Sequence, residues 1–508
     1  MQEPCVSGER DRSGLRAPVP APAPRGGTAC PLPVLAAPAA VWTLAQLLLV
    51  VPGLGLGWDE TVYVSQVAGH APAAFFSAPR ARGITFLVAP VAALTDSTAA
   101  LRVYLAVLSG CGLFLALAVW RRLLPGRVLV AAGLLFAGLW VSLFYGPQAM
   151  PNLWVAFATL AAAGCLLRVT RGDGGGDRRA LAGLGVAVAA VALMRPVDAV
   201  WLVLALAVAA FLLPGGRRLL VVAVLLAGAA AGGAEWVVEA VLRYGGLPAR
   251  LHRASVIQGH LGWYFAVDDH LRALGGRTLC RPCTEPWRHR PTGLWFLALP
   301  LLVAGGLRRA WHTPDRAPLC VAVWVAAVTA GPYLFTVGYA APRFLLPAYL
   351  LLALPTAYLL TGLPLRGRGR RAVGALLAVA LAAHLAIQFR VLHSVTGRVR
   401  ADTAALNRIA ATLRAQGVRP PCLVSGDEAV RVAHRTGCSS RQPGGHDAST
   451  TPEQLAATAR RMPVVLLRSG SAPPPAFART WPVHPLPTLG ARTHYRAHVS
   501  LPARPGPP

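Results

Sequence analysis

Two adjacent carboxylates, Asp59 and Glu60, directly follow an uncharged segment that runs from residue 31 to residue 57. Acid is scarce in this part of the chain, where Asp96 is the only other acidic residue between positions 30 and 172. The alternative to a chemical role is that the two acids lie at a solvated helix end. The partial negative charge of a helix C-terminus does not stabilise carboxylates, however, so this alternative does not explain their position. Adjacent residues point in different directions on a helix or a strand. We therefore predict that Asp59 faces the reacting atoms and that Glu60 mostly faces elsewhere.

Two other groups of polar residues could do chemistry. Glu235 and Glu239 are four residues apart on one helical face, and ionisable residues inside a span are candidates for function; a position just beyond the hydrocarbon is the alternative. The segment "HLGWYFAVDDH" (260–270) groups His260 and Asp268 with a second Asp and a second His. Such side chains suit divalent ions, but no ligand spacing recurs. A polar loop over an active site is the preferred interpretation, with a divalent metal as the alternative and no cofactor assigned.

The elements that position these residues are membrane helices. The chain is 55% hydrophobic with a mean hydropathy of +0.51, and its apolar runs are long enough to cross a hydrocarbon layer of roughly 30 Å. The sequence thus predicts an all-α polytopic membrane protein. Its eleven expected transmembrane helices lie at 33–57, 98–119, 128–146, 151–167, 180–195, 198–213, 219–241, 293–307, 317–338, 344–362 and 372–390.

The basic charge follows the membrane topology. The net charge is +29 and every basic residue is Arg, yet the arginines cluster between alternate apolar runs, as the excess of basic residues in cytoplasmic loops predicts. This argues against nucleic acid as a partner and for a cytoplasmic N-terminus and an extracytoplasmic C-terminus. The long loop 242–292 strains the assignment, because it lies outside and carries eight arginines.

Three kinds of segment lie outside the membrane helices. Residues 1–30 have the composition of a disordered cytoplasmic segment, and 31–394 form the membrane domain with outer loops 58–97 and 242–292. Residues 395–508 combine an amphipathic helix with short apolar runs, which predicts a small extracytoplasmic α/β domain with a disordered end.

Two cysteine pairs lie outside the predicted spans. Cys280 and Cys283 form a single CxxC, whereas Cys422 and Cys438 lie in the tail. One CxxC is weak support for zinc or redox chemistry. If these segments are extracytoplasmic, disulfides are favoured.

Four segments together resemble a family. "WDETVYV" after the first span resembles the first outer loop of GT-C glycosyltransferases, in particular protein O-mannosyltransferases, lipid A aminoarabinose transferases and related dolichyl-phosphate-mannose-type enzymes. "YGPQAMPNLWVAFATLAAAG" (145–164), "ALMRPVDAVWLVLAL" (192–206) and "YAAPRFLLPAYLLLALPTAYLL" (339–360) resemble later family motifs. The resemblance covers about 33–390 as an ordered set of weak motifs, and Asn152 stands where family members often have an acid.

The resemblance implies a membrane glycosyltransferase that moves a sugar from a polyprenyl-phosphate donor to a glycan, lipid or protein acceptor on the extracytoplasmic face. Asp59 would be the base of an inverting displacement, and Glu60 would assist it. Arginine suits the charge of the leaving phosphate through its paired, planar donors. The expected substrate-binding residues are Arg343, Arg195, Tyr63, Asn152, His260 and Asp268.

Purely structural roles are the alternatives to these functional assignments. Arg195 could pair with Asp198 three residues on, and Arg343 could extend to lipid head groups. The competing functions are a transporter or lipid flippase and a non-catalytic GT-C relative. Transporters tend to carry inverted repeats and charge at the midplane, whereas this chain shows no repeat and gathers its polar residues at one face. The enzyme is therefore the favoured hypothesis.

Overall fold

The computed structural model describes residues 30–171, 178–215, 217–284, 286–363, 368–445, 447–490, 492 and 494–502, with only the backbone at 368–370. The predicted disordered segment 1–30 falls almost wholly outside these residues, as does the end of the tail. The described chain is mostly helical and closes with a small sheet. The predicted fold class, a helical membrane protein with a small C-terminal α/β domain, is confirmed.

Eighteen α-helices follow one another along the described chain. They are α1 (Leu32–Ala45), α2 (Trp58–Ser65), α3 (Gly83–Ala92), α4 (Thr98–Val119), α5 (Gly126–Ala137), α6 (Trp140–Tyr145), α7 (Pro151–Arg171), α8 (Arg178–Met194), α9 (Pro196–Leu212), α10 (Arg218–Tyr244), α11 (Leu247–Gln258), α12 (Val267–Leu274), α13 (Gly293–Ala310), α14 (Arg316–Phe335), α15 (Leu346–Gly362), α16 (Arg368–Ala415), α17 (Ala429–Thr436) and α18 (Pro452–Ala459).

Eight helices in the described part of the chain are long and apolar enough to cross a membrane. Each of the eleven predicted spans overlaps one helix or, at 128–146, two helices, and the clearest departures from the predicted bounds are in the first, the third and the last. The first helix continues as a π-helical turn only to Val50, because Pro52 and the positive φ of Gly53 end it. The span predicted at 128–146 is interrupted between α5 and α6, where the Trp140 amide donates to the Gln388 side chain at 2.9 Å.

Close contacts between small residues hold the membrane helices together. A Cβ on Gly228 of α10 would lie 2.6 Å from the Gly185 carbonyl oxygen of α8, and one on Gly232 would lie 2.0 Å from that of Ala189. Two helix backbones can approach this closely only where the side chains between them are small. Such packing is common between membrane helices, because the hydrophobic effect does not drive helices together within lipid.

The last helix joins the two parts of the protein. The sequence predicts a span at 372–390 and a separate amphipathic helix in the tail, whereas α16 is one continuous helix of 48 residues. It contains no proline, and Gly397 is tolerated within it. The tail domain is therefore attached through a rigid helix rather than a linker.

The tail is a five-stranded sheet with strand order β2-β1-β3-β5-β4. Its strands are β1 (Leu423–Gly426), β2 (Ser439–Ser440), β3 (Val464–Arg468), β4 (Val483–Pro485) and β5 (Arg496–Ser500). The first three are parallel and the last two antiparallel to their neighbours. The carboxyl ends of parallel strands are where open α/β sheets bind ligands. Both cysteine pairs outside the predicted spans, Cys280–Cys283 and Cys422–Cys438, are disulfides.

The tail docks onto the turn that leads to α2. The Gly55 amide donates to Thr403 Oγ1 at 3.2 Å, and a Cβ on Gly55 would lie 2.5 Å from that oxygen. Arg400 donates to the carbonyls of Leu49 and Pro52. The turn before α2 therefore needs glycine at position 55, because α16 packs too closely against it to leave room for a side chain.

A histidine pair lies at the same junction. The ring of His434 on α17 is 4.4 Å from that of His70 in the first outer loop, and His70 pairs with Asp96 at 2.5 Å. Burial, with His70 and Arg435 nearby, lowers the pKa of His434 from 6.5 to about 4, although Asp96 opposes the shift. The folded protein therefore binds fewer protons than the unfolded chain between these pH values.

Acidification should consequently destabilise this junction. Stability from His434 is complete above pH 6.5 and declines as the pH falls toward 4, by up to about 3 kcal/mol. We expect His434→Gln to reduce the drop in melting temperature between pH 7 and pH 4.5, whereas His312→Gln, at an exposed histidine, should leave that drop unchanged. Equal drops in wild type and His434→Gln would contradict this assignment.

Candidate active site

Asp59 occupies the first turn of α2. Gly57 is the N-cap of this helix, and its amide donates to Glu60 Oε2 at 2.9 Å, which is the half of a capping box that the N3 side chain supplies. Asp59 Oδ1 accepts from Arg80 at 2.9 Å, and Oδ2 lies 3.4 Å from Arg343 Nη2. The side chain is 38% exposed, and the space that it faces is a cavity.

The charges around Asp59 keep it ionised. Burial by itself raises the pKa of this carboxyl, but Arg80 and Arg343 outweigh burial and hold the pKa below its ordinary value of 3.8. One turn along, burial raises the pKa of Tyr63, whose ring also lines the cavity. The cavity therefore presents a carboxylate that can accept a proton and a phenol that can donate a hydrogen bond.

Glu60 points away from the cavity and is buried. Both of its oxygens accept from the guanidinium of Arg102 on α4, with Nη2–Oε2 at 2.8 Å. Oε1 also accepts from the Ala149 amide at 2.7 Å. Arg102, which is 0% exposed, donates further to the carbonyls of Gly55 and Pro147. Glu60 therefore has no oxygen directed at the cavity, and its contacts are those of a structural anchor.

Arg343 enters the site from the 3₁₀ turn that precedes α15. Its Nη1 donates to the Thr278 carbonyl at 3.0 Å, and Nη2 faces Asp59. Nε is buried and has no hydrogen-bond acceptor among the described residues. A buried guanidinium with an unused donor is suited to an anionic ligand.

Arg195 reaches the same cavity from the N-cap of α9, where Pro196 starts the helix. It donates to Asp198 Oδ2 at 2.8 Å and to the Tyr333 hydroxyl at 2.6 Å, and Tyr333 donates to Asp198. The pairing with Asp198 that the sequence allowed is present, and Arg195 lines the cavity as well. The pair orients this guanidinium rather than removing it from the site.

The cavity has a volume of about 600 Å³ and lies between the membrane domain and the tail. Asp59, Tyr63, Arg80, Arg195 and Arg343 line its membrane side. The tail side consists of the last residue of β1, Gly426, of residues that follow β1 and β2, namely Asp427, Glu428, Gln442, Gly444 and Asp447, and of Arg492. The carboxyl edge of the parallel strands therefore forms one wall of the cavity.

A second, largely apolar pocket of about 430 Å³ adjoins the cavity, and Tyr63, Arg195 and Tyr339 line both. Its other walls include Trp201, Pro332, Val337, Leu261 and Trp263. Trp263 is 91% exposed, so the pocket opens at an apolar part of the surface. We call this space the lateral pocket.

Besides Glu60, three of the predicted substrate-binding residues do not line the cavity. Asn152 is buried in the first turn of α7, where its Oδ1 has no hydrogen-bond donor among the described residues. His260 is exposed and Asp268 pairs with Arg272 on α12. His270 is buried against the Tyr333 carbonyl. Within the described ranges, no three His, Cys, Asp or Glu side chains are grouped so as to hold a metal ion.

Glu235 and Glu239 also lie apart from the cavity. Glu239 accepts from Arg82 at 2.6 Å and from Arg250 at 2.9 Å, and Glu235 lies 3.3 Å from Arg82. These contacts hold loop 58–97 and α11 against the end of α10. The pair therefore has a structural role in the described part of the chain.

Sequence reasoning missed two residues that contact the Asp59 region, Arg80 and Asp447. Arg80 belongs to "PRARG" in loop 58–97, and two arginines in a loop predicted to lie outside depart from the charge rule, as do the eight of loop 242–292. That departure was a usable signal. Asp447 lies in the tail, outside the segments that resemble the family, and nothing in its local sequence marks it.

Comparison with known proteins identifies the fold. No protein-family model and no curated protein sequence matches the chain. Among solved structures it is similar to ArnT from Cupriavidus metallidurans bound to undecaprenyl phosphate, at 13% identity and a TM-score of 0.64, covering 94% of this chain and 99% of that one. The apo ArnT structure gives 12% identity with the same TM-score and coverage. The similarity confirms the predicted GT-C fold.

A more distant similarity is to the archaeal oligosaccharyltransferase AglB from Archaeoglobus fulgidus in complex with an inhibitory peptide and a dolichol-phosphate. Identity is 13%, the match covers 85% of this chain and 69% of that one, and the TM-score is 0.47. No conclusion rests on this similarity.

The different contacts of Asp59 and Glu60 predict different losses of stability when each is mutated. Glu60→Gln leaves the buried Arg102 without its counter-charge, which should cost about 3–5 kcal/mol. Asp59→Asn changes a partly exposed side chain and should shift the melting temperature little. Thermal unfolding of the purified variants measures both, and a Glu60→Gln variant as stable as Asp59→Asn would contradict the structural role of Glu60.

Proposed function

We propose that this protein is a glycosyltransferase that moves a sugar from a polyprenyl-phosphate donor to an acceptor on the extracytoplasmic face, with inversion at the anomeric carbon. One observation carries the proposal: an ionised carboxylate and two arginines line one cavity that continues into an apolar lateral pocket. The fold is that of ArnT, an aminoarabinose transferase solved with undecaprenyl phosphate.

Asp59 is the base in this proposal. The acceptor oxygen attacks the anomeric carbon while the bond from that carbon to the phosphate oxygen breaks, and the acceptor proton passes to Asp59. Oδ1 is held by Arg80, so Oδ2, whose contact with Arg343 is longer, is the proton acceptor. Because its pKa is low, Asp59 is ionised at neutral pH but is a weak base. Its contribution to the reaction rate therefore comes more from its position next to the acceptor than from its basicity.

Arg343 and Arg195 bind the leaving phosphate. When the donor enters, Arg343 can exchange its 3.4 Å contact with Asp59 for a shorter bond to a phosphate oxygen. Its unpartnered Nε offers a second donor. Arg195 is already oriented by Asp198 and Tyr333, so little side-chain entropy is lost when it meets the anion.

The lateral pocket holds the first isoprenoid units of the donor lipid. It shares Arg195 and Tyr339 with the cavity, so a phosphate at Arg195 places the attached chain next to the apolar walls. The exposed Trp263 suits the membrane interface, where tryptophan is enriched. This arrangement lets a lipid enter sideways while the sugar stays in the aqueous cavity.

The extracytoplasmic orientation is part of the proposal. Disulfides persist in oxidising compartments, and Cys280–Cys283 and Cys422–Cys438 lie on the cavity side of the protein, in the outer loop and in the tail. The arginine-rich loops at the other helix ends agree with a cytoplasmic location.

A deletion strain of the source organism tests the function. Mass spectrometry of envelope glycans, glycolipids and glycoproteins should reveal one species that lacks a sugar, and wild type should restore it. We expect Asp59→Asn to accumulate normally and to restore less than about 1% of that species, since general base catalysis contributes roughly 10²–10⁴-fold. Glu453→Gln, on the exposed face of α18, is the matched control. Full restoration by Asp59→Asn would overturn its role as base.

Donor binding tests the arginines separately. Arg343→Gln should weaken binding of undecaprenyl phosphate, measured by native mass spectrometry, about 10- to 100-fold, because a hydrogen bond to a charged group contributes about 1.5–3 kcal/mol. Arg460→Gln, an exposed arginine of the tail, should bind the lipid as wild type does. Unchanged affinity in Arg343→Gln would exclude this residue from the phosphate site.

A further inference from the structure

Asp447 connects the tail domain to the base. It lies between β2 and α18, and its side chain is only 11% exposed. Both of its carboxylate oxygens accept from the membrane domain: Oδ2 from Trp58 Nε1 at 3.0 Å and Oδ1 from Arg80 Nη1 at 3.2 Å. Trp58 is the residue before Asp59 on α2, and Arg80 is its closest cation.

Arg80 stands between two carboxylates. Its Nη2 donates to Asp59 Oδ1 at 2.9 Å while its Nη1 faces Asp447 and Ser77. The Arg80 carbonyl in turn accepts from Arg250 at 3.0 Å, which fixes the backbone. The guanidinium therefore divides its two nitrogen ends between the membrane domain and the tail.

We propose that Asp447 is a positioning residue for the transfer reaction, acting through Arg80 and Trp58 to leave one oxygen of Asp59 free for the acceptor. This inference rests on the proposed function. It makes the tail domain part of the catalytic centre, although none of its residues needs to touch the reacting atoms.

The physical reason lies in the fork geometry of arginine. A guanidinium facing a single carboxylate tends to bind both oxygens through two parallel bonds. Asp447, the charged one of the two acceptors of Nη1, prevents this together with Ser77, so that Arg80 occupies Oδ1 only and Oδ2 stays directed at the cavity. Its negative charge also offsets that of Arg80, which keeps Asp59 from becoming a still weaker base.

Docking of the tail does not depend on Asp447 alone. Thr403 and Arg400 bond the turn before α2, and Arg253 donates to the Ala448 carbonyl at 3.2 Å. Asn at position 447 has nearly the same shape, and while its one oxygen accepts from Trp58, its NH2 group faces Arg80 and cannot accept from it. Asp447→Asn should therefore remain folded and docked while Arg80 turns both nitrogens to Asp59.

The experiment measures transfer and lipid binding on the same variants. In the deletion strain, Asp447→Asn should reduce the restored glycosylated species at least about tenfold, the factor that one charge-assisted hydrogen bond supports. Affinity of the purified variant for undecaprenyl phosphate should stay within about twofold of wild type, since Arg343 and Arg195 are unchanged. Glu453→Gln, a carboxylate of the same domain, should match wild type in both measurements.

The outcomes distinguish the two levels of the account. If wild type restores no glycosylated species, the proposed function itself fails. If Asp447→Asn restores the glycosylated species as well as wild type does, the positioning role alone is overturned. The same holds if lipid binding is lost in parallel with transfer, because a parallel loss indicates a collapsed site. Should Asp447→Asn fail to accumulate, Trp58→Phe removes the other hydrogen bond and should lower transfer several-fold with lipid affinity retained; transfer equal to wild type would overturn the inference.

Discussion

The buried ion pair of Glu60 and Arg102 is the contact on which the site depends. It joins helix α4, to which Arg102 belongs, to the turn at Gly55, the start of α2 and the loop before α7, because Arg102 and Glu60 together bond backbone groups in these three segments. Burying two charges is costly unless each is fully hydrogen-bonded, and here the bonds are supplied by the segments that need to be held. The neighbouring Asp59 is thereby fixed at the cavity wall.

Charge balance shapes the cavity around that anchor. Asp59 and Asp447 face Arg80 and Arg343, while Asp198 accompanies Arg195. The formal charges of these three aspartates and three arginines cancel, so the site can be desolvated without a large penalty. An entering phosphate would shift this balance locally, and the 3.4 Å contact between Asp59 and Arg343 is the weakest one to give up.

Much of the fold could be predicted from sequence, and less of the site. Apolar runs and arginine placement gave the order of the helices, because length and charge are local properties. Asp59, Arg195 and Arg343 line one cavity because each sits at a helix end on the same side of the protein. The continuity of α16 was not predicted, because the sequence becomes polar after residue 390 and the predicted span was ended there. No proline interrupts the helix at that point, so it continues into the tail.

The missed residues share a physical cause. Arg80 and Asp447 are 367 positions apart, and other partners joined only by docking of the tail are 348 or 389 positions apart. Contacts between such distant positions leave no local pattern in the sequence. Arg102 is different: a lone arginine in an apolar helix is a signal by itself, and it could have been paired with Glu60, the acid predicted to face away from the chemistry.

The most direct test of the central claim is an experimental structure of the protein in lipid nanodiscs with undecaprenyl phosphate. The account predicts the phosphate in the cavity beside Asp59, with oxygens about 2.7–2.9 Å from guanidinium nitrogens of Arg343 and Arg195, and the isoprenoid chain in the lateral pocket. A phosphate bound elsewhere, with Arg343 still turned to Asp59 and the lateral pocket free of lipid, would contradict it.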